Sequence, residues 1–156
     1  MELALKQFQT ASDAEKDWRK KAQADLEIYT GQEQWEKGTR AQRDIDNRPC
    51  LVINKLPGAV RQITNQMRQN MPMIRTIPVN DSSEEVADIF DGMMRHIQES
   101  SQAGIAYSTA FNHQVICGQG FFRIVADYVD ENSFDQEIKI ERIKNALSIY
   151  VDPARS

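Results

Sequence analysis

The sequence lacks the features that usually identify a secreted or membrane-bound protein. Only two of its 156 residues are cysteines, Cys50 and Cys117, which excludes a disulfide framework or a cysteine-based metal cluster. We expect both to be small buried residues in a reducing compartment. The first ten residues hold no long apolar core, so no signal peptide is expected. No run approaches the ~20 apolar residues of a membrane span, and we expect a soluble protein that is intracellular when made.

Candidate metal ligands are equally sparse. His113 and Cys117 lie four residues apart, and His96 is the only other histidine. A structural zinc site needs about four ligands at defined spacings. We therefore predict a half-buried histidine, a buried cysteine and no bound metal. The acidic pairs, such as the one at residues 84–85, are typical of solvated helix starts rather than of catalytic carboxylates.

Motifs for catalysis are also missing. The sequence has no G-x-S-x-G, Walker or H-E-x-x-H pattern. Gly118-Gln119-Gly120 is similar to half of a phosphate-binding loop, but it follows a predicted helix and precedes a predicted strand. That order is the reverse of the strand-loop-helix order that points backbone amides at a phosphate. We predict a helix end followed by a strand, and we expect no enzyme activity, no catalytic residue and no cofactor.

Positive charge is in short supply. The formal net charge is −4, which argues against a free-standing binder of duplex DNA, because such a protein needs a basic surface. The charge is also uneven: residues 1–70 carry a net +2 and residues 71–156 a net −6. This asymmetry could orient head-to-tail contacts between copies.

The apolar spacing predicts an α+β fold, mainly helical, with a small antiparallel sheet. A capping box formed by Ser12 and Glu15 predicts the start of the first helix, and Gly31 predicts its end. The predicted helices cover residues 12–30, 36–46 and 55–70, then one that begins after an N-cap within residues 80–83, and one from about 105 to 116. The second-last of these has Val86, Ile89, Phe90, Met93 and Ile97 on one face. The predicted strands are 121–129, 137–144 and 148–151, with a short extended segment or edge strand at 73–77.

We divide the chain into an N-terminal helical segment, residues 1–47, and a helix-rich α+β domain, residues 48–156. The chain stops after a predicted strand with no closing element, so we expect it to be a fragment of something longer.

The stretch from residue 48 to 70 is the most informative part of the chain. Its predicted helix has a buried stripe of Leu56, Val60, Ile63 and Met67, while the opposite face is rich in amides and guanidinium groups. No carboxylate occurs between residues 55 and 70. Such a face suits hydrogen bonding to another protein or to an anionic surface; the alternative is a polar face that simply lacks acids.

The candidate protein interface follows from this face and from two tryptophans in the polar N-terminal third. The tryptophans either pin thin helices to the body or anchor an interface, and we favour a mixture of both. The candidate interface residues are Arg48, Arg61, Asn65, Arg68, Asn70, Trp18 and Trp35.

Several short motifs occur in an order that resembles a known family. They are WEKG at Trp35, RPCL at Arg48, RQN-x-P at residues 68–72, GQGFFR at residues 118–123 and Y-x-D-P at residues 150–153. Over roughly residues 12–155, this ordered set resembles the amino-terminal part of the portal protein of short-tailed bacteriophages.

The resemblance implies a virion structural protein. Portal proteins form a dodecameric ring at one capsid vertex, through which double-stranded DNA passes non-specifically during packaging and ejection. The ring contacts coat and scaffolding protein, and it receives the terminase and the tail adaptor through a stem and clip. Those parts would lie outside this chain, which would supply part of the outer wing. The resemblance brings no catalytic residue or cofactor, and it implies location at the portal vertex, after assembly in the host cytoplasm.

Two other classes of function stay open on the residues alone. A small helical adaptor or scaffold could bind a partner protein through the helix at residues 55–70. A phage hydrolase or nuclease would need a cluster of metal-binding carboxylates, which the sequence does not show.

Overall fold

The computed structural model describes residues 2–32, 34–71, 74–79, 83–130 and 132–155, with the side chains of residues 2 and 155 excepted. In this part of the chain, helices precede a two-stranded antiparallel hairpin, so the predicted α+β class is confirmed. None of the described helices is long and apolar enough to span a bilayer. The elements are α1 Glu2–Thr30, α2 Lys37–Ile45, α3 Leu56–Gln69, α4 Glu84–Ser100, α5 Ala103–Cys117, β1 Phe122–Tyr128 and β2 Gln136–Arg142, with 3₁₀ turns at Ala146–Ser148 and Pro153–Arg155.

Helix α5 lies at the centre of the fold and contacts α1, α3, α4 and both strands. Its buried residues are small, namely Ala103, Ala106, Ala110 and Cys117. Small side chains allow neighbouring elements to approach the helix backbone closely. Among the described residues, Ile140 is the only buried apolar residue larger than alanine or cysteine. The core is therefore thin.

Large apolar side chains remain on the surface. The chain exposes 12704 Å², whereas a compact monomer of this mass would expose about 8,000 Å². The predicted buried stripe of α3 is wrong, because Leu56 is 44% and Ile63 46% exposed. The apolar face of α4 is open as well: Val86, Ile89 and Phe90 are each about half exposed. Val60 and Met67 of α3 are half-buried, but no described element covers Leu56, Ile63 or the apolar face of α4.

The predicted start of α1 is also wrong. The helix already includes residue 2, and Ser12 lies in its interior. A capping box is a purely local signal, and here Glu15 serves a distant contact instead. Its carboxylate binds Arg19 at 2.8 Å and accepts a hydrogen bond from the backbone N–H of Val151 at 2.8 Å.

The predicted third strand, residues 148–151, does not form. Arg19 donates hydrogen bonds to the carbonyl oxygens of Leu147, at 2.5 Å, and of Ile149. Its guanidinium lies 3.6 Å from the centre of the Tyr150 ring. Side chains of α1 thus satisfy the backbone groups that a neighbouring strand would otherwise pair with. We call Glu15, Arg19 and their contacts with residues 147–151 the Arg19 clamp.

The glycines after α5 confirm the prediction of a helix end followed by a strand. Gly118 has a φ of +81°, which ends the helix in a left-handed conformation. Gly120 lies directly against the backbone of α5: a Cβ atom there would overlap the carbonyl oxygen of Ala110 and lie 2.6 Å from its carbonyl carbon. The second glycine is therefore required by packing.

Other predicted boundaries agree with the structure. Gly31 follows the last residue of α1 with a φ of +79°, and the short helix predicted near 36–46 is α2. The hydroxyl of Ser83 accepts a hydrogen bond from the N–H of Val86 and caps α4, while residues 80–82 lie outside the described part. The division at residue 47 stays a prediction.

Residues 74–79 have no regular secondary structure and pair with no described strand, so the predicted edge strand does not form there; residue 73 lies outside the described part. Asp91 is one residue that attaches them to the fold: it is 9% exposed and accepts a hydrogen bond from the backbone N–H of Thr76. The hydrogen bonds from Thr76 are the largest cause that lowers the pKa of Asp91, and the positive charges of Arg95 and Arg75 lower it further.

Replacing Gly120 with alanine should destabilise the fold by about 3 kcal/mol, because the added methyl group overlaps rigid helix backbone. Urea unfolding of the chain measures this change. Gly92→Ala is the matched control, since Gly92 lies inside α4 and a Cβ there meets nothing within 4 Å. That variant should gain about 0.5–1 kcal/mol from helix propensity. Equal stability of the two variants would contradict the close packing.

Arg19→Lys should destabilise the fold by about 1–2 kcal/mol, because lysine lacks the planar fork that reaches two carbonyls while stacking on Tyr150. Thermal unfolding followed by circular dichroism measures the loss. Lys20→Ala, at the next and exposed position, should change stability by less than about 0.5 kcal/mol. A wild-type melting curve for Arg19→Lys would show that the clamp contributes nothing.

Asp91 should make the stability of the fold depend on pH. Because its pKa is lowered in the folded state, its contribution is present above the ordinary value of 3.8 and is lost as the pH falls through the lowered value. Asp91→Asn should therefore lose stability at neutral pH and show a shallower acid transition. Thermal unfolding from neutral to strongly acidic pH tests this, with Asp88→Asn on the exposed side of α4 as the control. An unchanged acid transition in Asp91→Asn would exclude the effect.

Candidate functional site

An open groove of about 790 Å³ lies beside the packed helices α3 and α5. We call it the arginine groove. Three guanidinium groups line it, together with amides, hydroxyls and two apolar side chains, and no carboxylate is among its lining residues. The lining residues are Tyr29, Arg61, Thr64, Asn65, Arg68, Met71, Gly104, Ile105, Ser108, Thr109, Asn112 and Arg142.

The groove owes its shape to the packing of α3 on α5. Thr64 is the one buried residue of α3, and its hydroxyl donates to the carbonyl of Arg61 at 3.2 Å. Arg61, Asn65 and Arg68 follow one another at helical spacings of four and three residues, so they share one side of the helix. Arg142 enters from the end of β2, where it pairs with Phe122 at the base of the hairpin.

The three arginines of the groove are uncompensated. Arg61, Arg68 and Arg142 are exposed and form no ion pair within the described residues. By contrast, Arg123 binds Glu141 at 2.6 Å. The sequence also contains no acidic residue between positions 47 and 80. The groove therefore presents a local positive field on a protein whose net charge is negative.

The other predicted interface residues lie outside the groove. Arg48 and Asn70 are exposed. The backbone N–H of Arg48 donates to the carbonyl of Arg43 at 2.8 Å, and Asn70 ends α3. The structure thus brings together Arg61, Asn65 and Arg68 but neither of these two. An interface role for any of them stays a prediction.

Both tryptophans are half-buried and bonded within the chain. The ring N–H of Trp18 donates to the carbonyl of Cys117 at 3.0 Å, which joins α1 to the end of α5. The ring N–H of Trp35 donates to the carbonyl of Leu51 at 3.2 Å. The guanidinium of Arg43 lies 4.7 Å from the Trp35 ring. Trp18 thus pins α1 to α5, whereas Trp35 joins α2 to the segment at Leu51, and the predicted interface role of the two side chains is untested.

Sequence reasoning missed Arg142 and Asn112 as members of the site. Arg142 belongs to a predicted strand, and its approach to α3 depends on strand register and on the packing of the hairpin against α5. No local pattern reports such a long-range juxtaposition. Asn112 lies on α5 among apolar residues, and its position beside the groove depends on the same packing.

The His113 and Cys117 pair behaves as predicted, with a half-buried histidine and a buried cysteine. Burial lowers the pKa of His113. Burial also raises the pKa of the Cys117 thiol, with the negative charge of Asp25 adding to the effect. The thiol is therefore protonated and weakly nucleophilic near neutral pH. Among the residues that the structure describes, no group of three or more histidine, cysteine or acidic side chains could hold a metal ion.

Comparison with known proteins identifies the family. Residues 5–156 match the model of the phage P22-like portal proteins. The portal protein of Acyrthosiphon pisum secondary endosymbiont phage 1 is 30% identical over 128 residues, which cover 79% of this chain and 17% of that protein. The match thus spans less than a fifth of the length of this curated relative. Because the family model covers almost the whole sequence, the chain belongs to the phage P22-like portal protein family.

Proposed function

We propose that this chain is part of the subunit of a phage portal ring, a structural protein of the virion through which the genome is packaged and ejected. The observation that carries the proposal is the family match over residues 5–156. The family is a structural one, and we propose that the chain itself has no enzymatic activity. Family membership does not favour a free-standing helical adaptor.

The surface of the chain supports a role in assembly. Its exposed area is about one and a half times that of a compact monomer of the same mass. Open apolar faces on α3 and α4 mark surfaces that other protein covers. We propose that neighbouring copies and the remainder of a longer subunit cover them, with this chain in the outer wing of the ring.

The proposed partners follow from the same role. They are further copies of the subunit, coat and scaffolding protein, and, through parts outside this chain, the terminase and the tail adaptor. Double-stranded DNA would pass through the channel without a specific site, which is compatible with a net charge of −4. The proposed location is the portal vertex of the virion, after assembly in the host cytoplasm.

The complete subunit that contains this chain should form a discrete ring of about a dozen copies, because heterologous contacts that close produce rings. Light scattering coupled to size-exclusion chromatography, at several protein concentrations, measures the native mass. The isolated chain of 156 residues is the control, and it should form no discrete ring. A complete subunit that stays a monomer or dimer at every concentration would contradict the proposed function.

A further inference from the structure

The turn between β1 and β2 presents an aromatic ring between two acidic residues. Phe134 is 95% exposed, the highest value of any large apolar residue described. Asp130 and Asp135 flank it and form no ion pair within the described part of the chain. Further along the strands, Asp127 and Glu137 are both within reach of Lys139, at 3.5 and 3.0 Å. We call Asp130, Phe134 and Asp135 the acidic tip.

The acidic tip and the arginine groove lie at opposite ends of the hairpin. Arg142 pairs with Phe122 at the base, and Tyr128 pairs with Gln136 next to the turn. Six residues of strand separate the two ends by about 20 Å. The tip therefore cannot fill the groove of its own chain. A contact between the tip of one copy and the groove of another joins two different surfaces, and such a head-to-tail contact forms a ring when its rotation closes.

The two surfaces are complementary in charge. The groove offers three arginines without described ion-pair partners, and the tip offers two aspartates without them. Arginine and carboxylate form strong, charge-assisted hydrogen bonds.

The surfaces are also complementary in apolar character. Met71 and Ile105, both exposed, line the groove, and a methionine thioether makes favourable contacts with an aromatic ring. The sugar-phosphate backbone of DNA would satisfy the arginines but would leave Phe134 without a role. These features favour a second copy of the chain as the occupant of the groove.

We propose that the acidic tip of one subunit binds the arginine groove of the adjacent subunit and sets the register between neighbours. This inference rests on the proposed function, because it requires that the subunits form a ring. The native mass of the wild-type subunit tests the ring separately. Phe134 is the anchor that becomes buried, and the ion pairs around it exclude wrong partners, since like charges at this contact would repel.

The test is ring assembly of the complete subunit with reversed charges. Arg61→Glu combined with Arg68→Glu should raise the protein concentration needed for half-assembly about tenfold or more. Asp130→Lys combined with Asp135→Lys should do the same. Co-expression is unnecessary, because one chain carrying all four substitutions restores complementary charge and should recover assembly. Lys16→Glu with Lys20→Glu, on the exposed side of α1, makes the same change in net charge as the Arg61/Arg68 reversal and should assemble like the wild type.

Phe134→Ala provides a second test that does not depend on charge. Because the ring is almost fully exposed, the substitution should leave the melting temperature of the chain unchanged. Assembly of the complete subunit should nevertheless weaken severalfold, because an interface anchor is lost.

The outcomes separate this inference from the proposed function. A wild-type subunit that forms no ring overturns both. Normal rings from the Arg61/Arg68 reversal and from Phe134→Ala overturn the docking contact alone. Reversals that weaken assembly separately but fail to rescue each other show that the tip and the groove do not pair. If the Arg61/Arg68 reversal forms normal rings but binds a double-stranded DNA fragment more weakly than the wild type, the groove binds phosphates instead.

Discussion

The close approach of the β-hairpin to the backbone of α5 is the constraint on which the rest of the structure depends. Because α5 is lined with alanines and Gly120 has no side chain, the chain can turn directly from the helix into β1. That turn sets the direction of the hairpin, brings Arg142 beside α3 and sends the opposite end of the hairpin outward. A thin core of small residues thus positions both polar surfaces, while most of the large apolar side chains remain available to other protein.

Much of the local structure could be predicted, because short-range chemistry determines it. Gly31, Gly118 and Ser83 end or begin helices through contacts within four residues, and both hairpin strands follow from alternation. The third strand could not be predicted, since residues 148–151 alternate like a strand but bond to α1. The prediction that the apolar stripe of α3 is buried was wrong for another reason. Apolar spacing shows which side of a helix is apolar, but it does not show whether the element that covers this side belongs to the same chain.

Only part of the candidate site could be predicted from the sequence. The absence of acidic residues along α3 indicated Arg61, Asn65 and Arg68, because a charge pattern on one helix is a local property. Arg142 and the acidic tip depend on the register of β1 with β2 and on how the hairpin packs, which no short motif encodes. The family match and the exposed apolar faces both support the proposal that neighbouring protein covers the open surfaces of this chain.

The Arg19 clamp has a consequence for the order of events during synthesis. Arg19 and the two carbonyls that it binds are separated by 128 and 130 positions in the sequence. Helix α1 therefore leaves the ribosome long before the segment that it binds. Contacts of such large sequence separation form late, because closing the long loop between them costs chain entropy. Until residues 147–151 have been made, Glu15 and Arg19 have only each other and water as partners, so this part of α1 docks only near the end of synthesis.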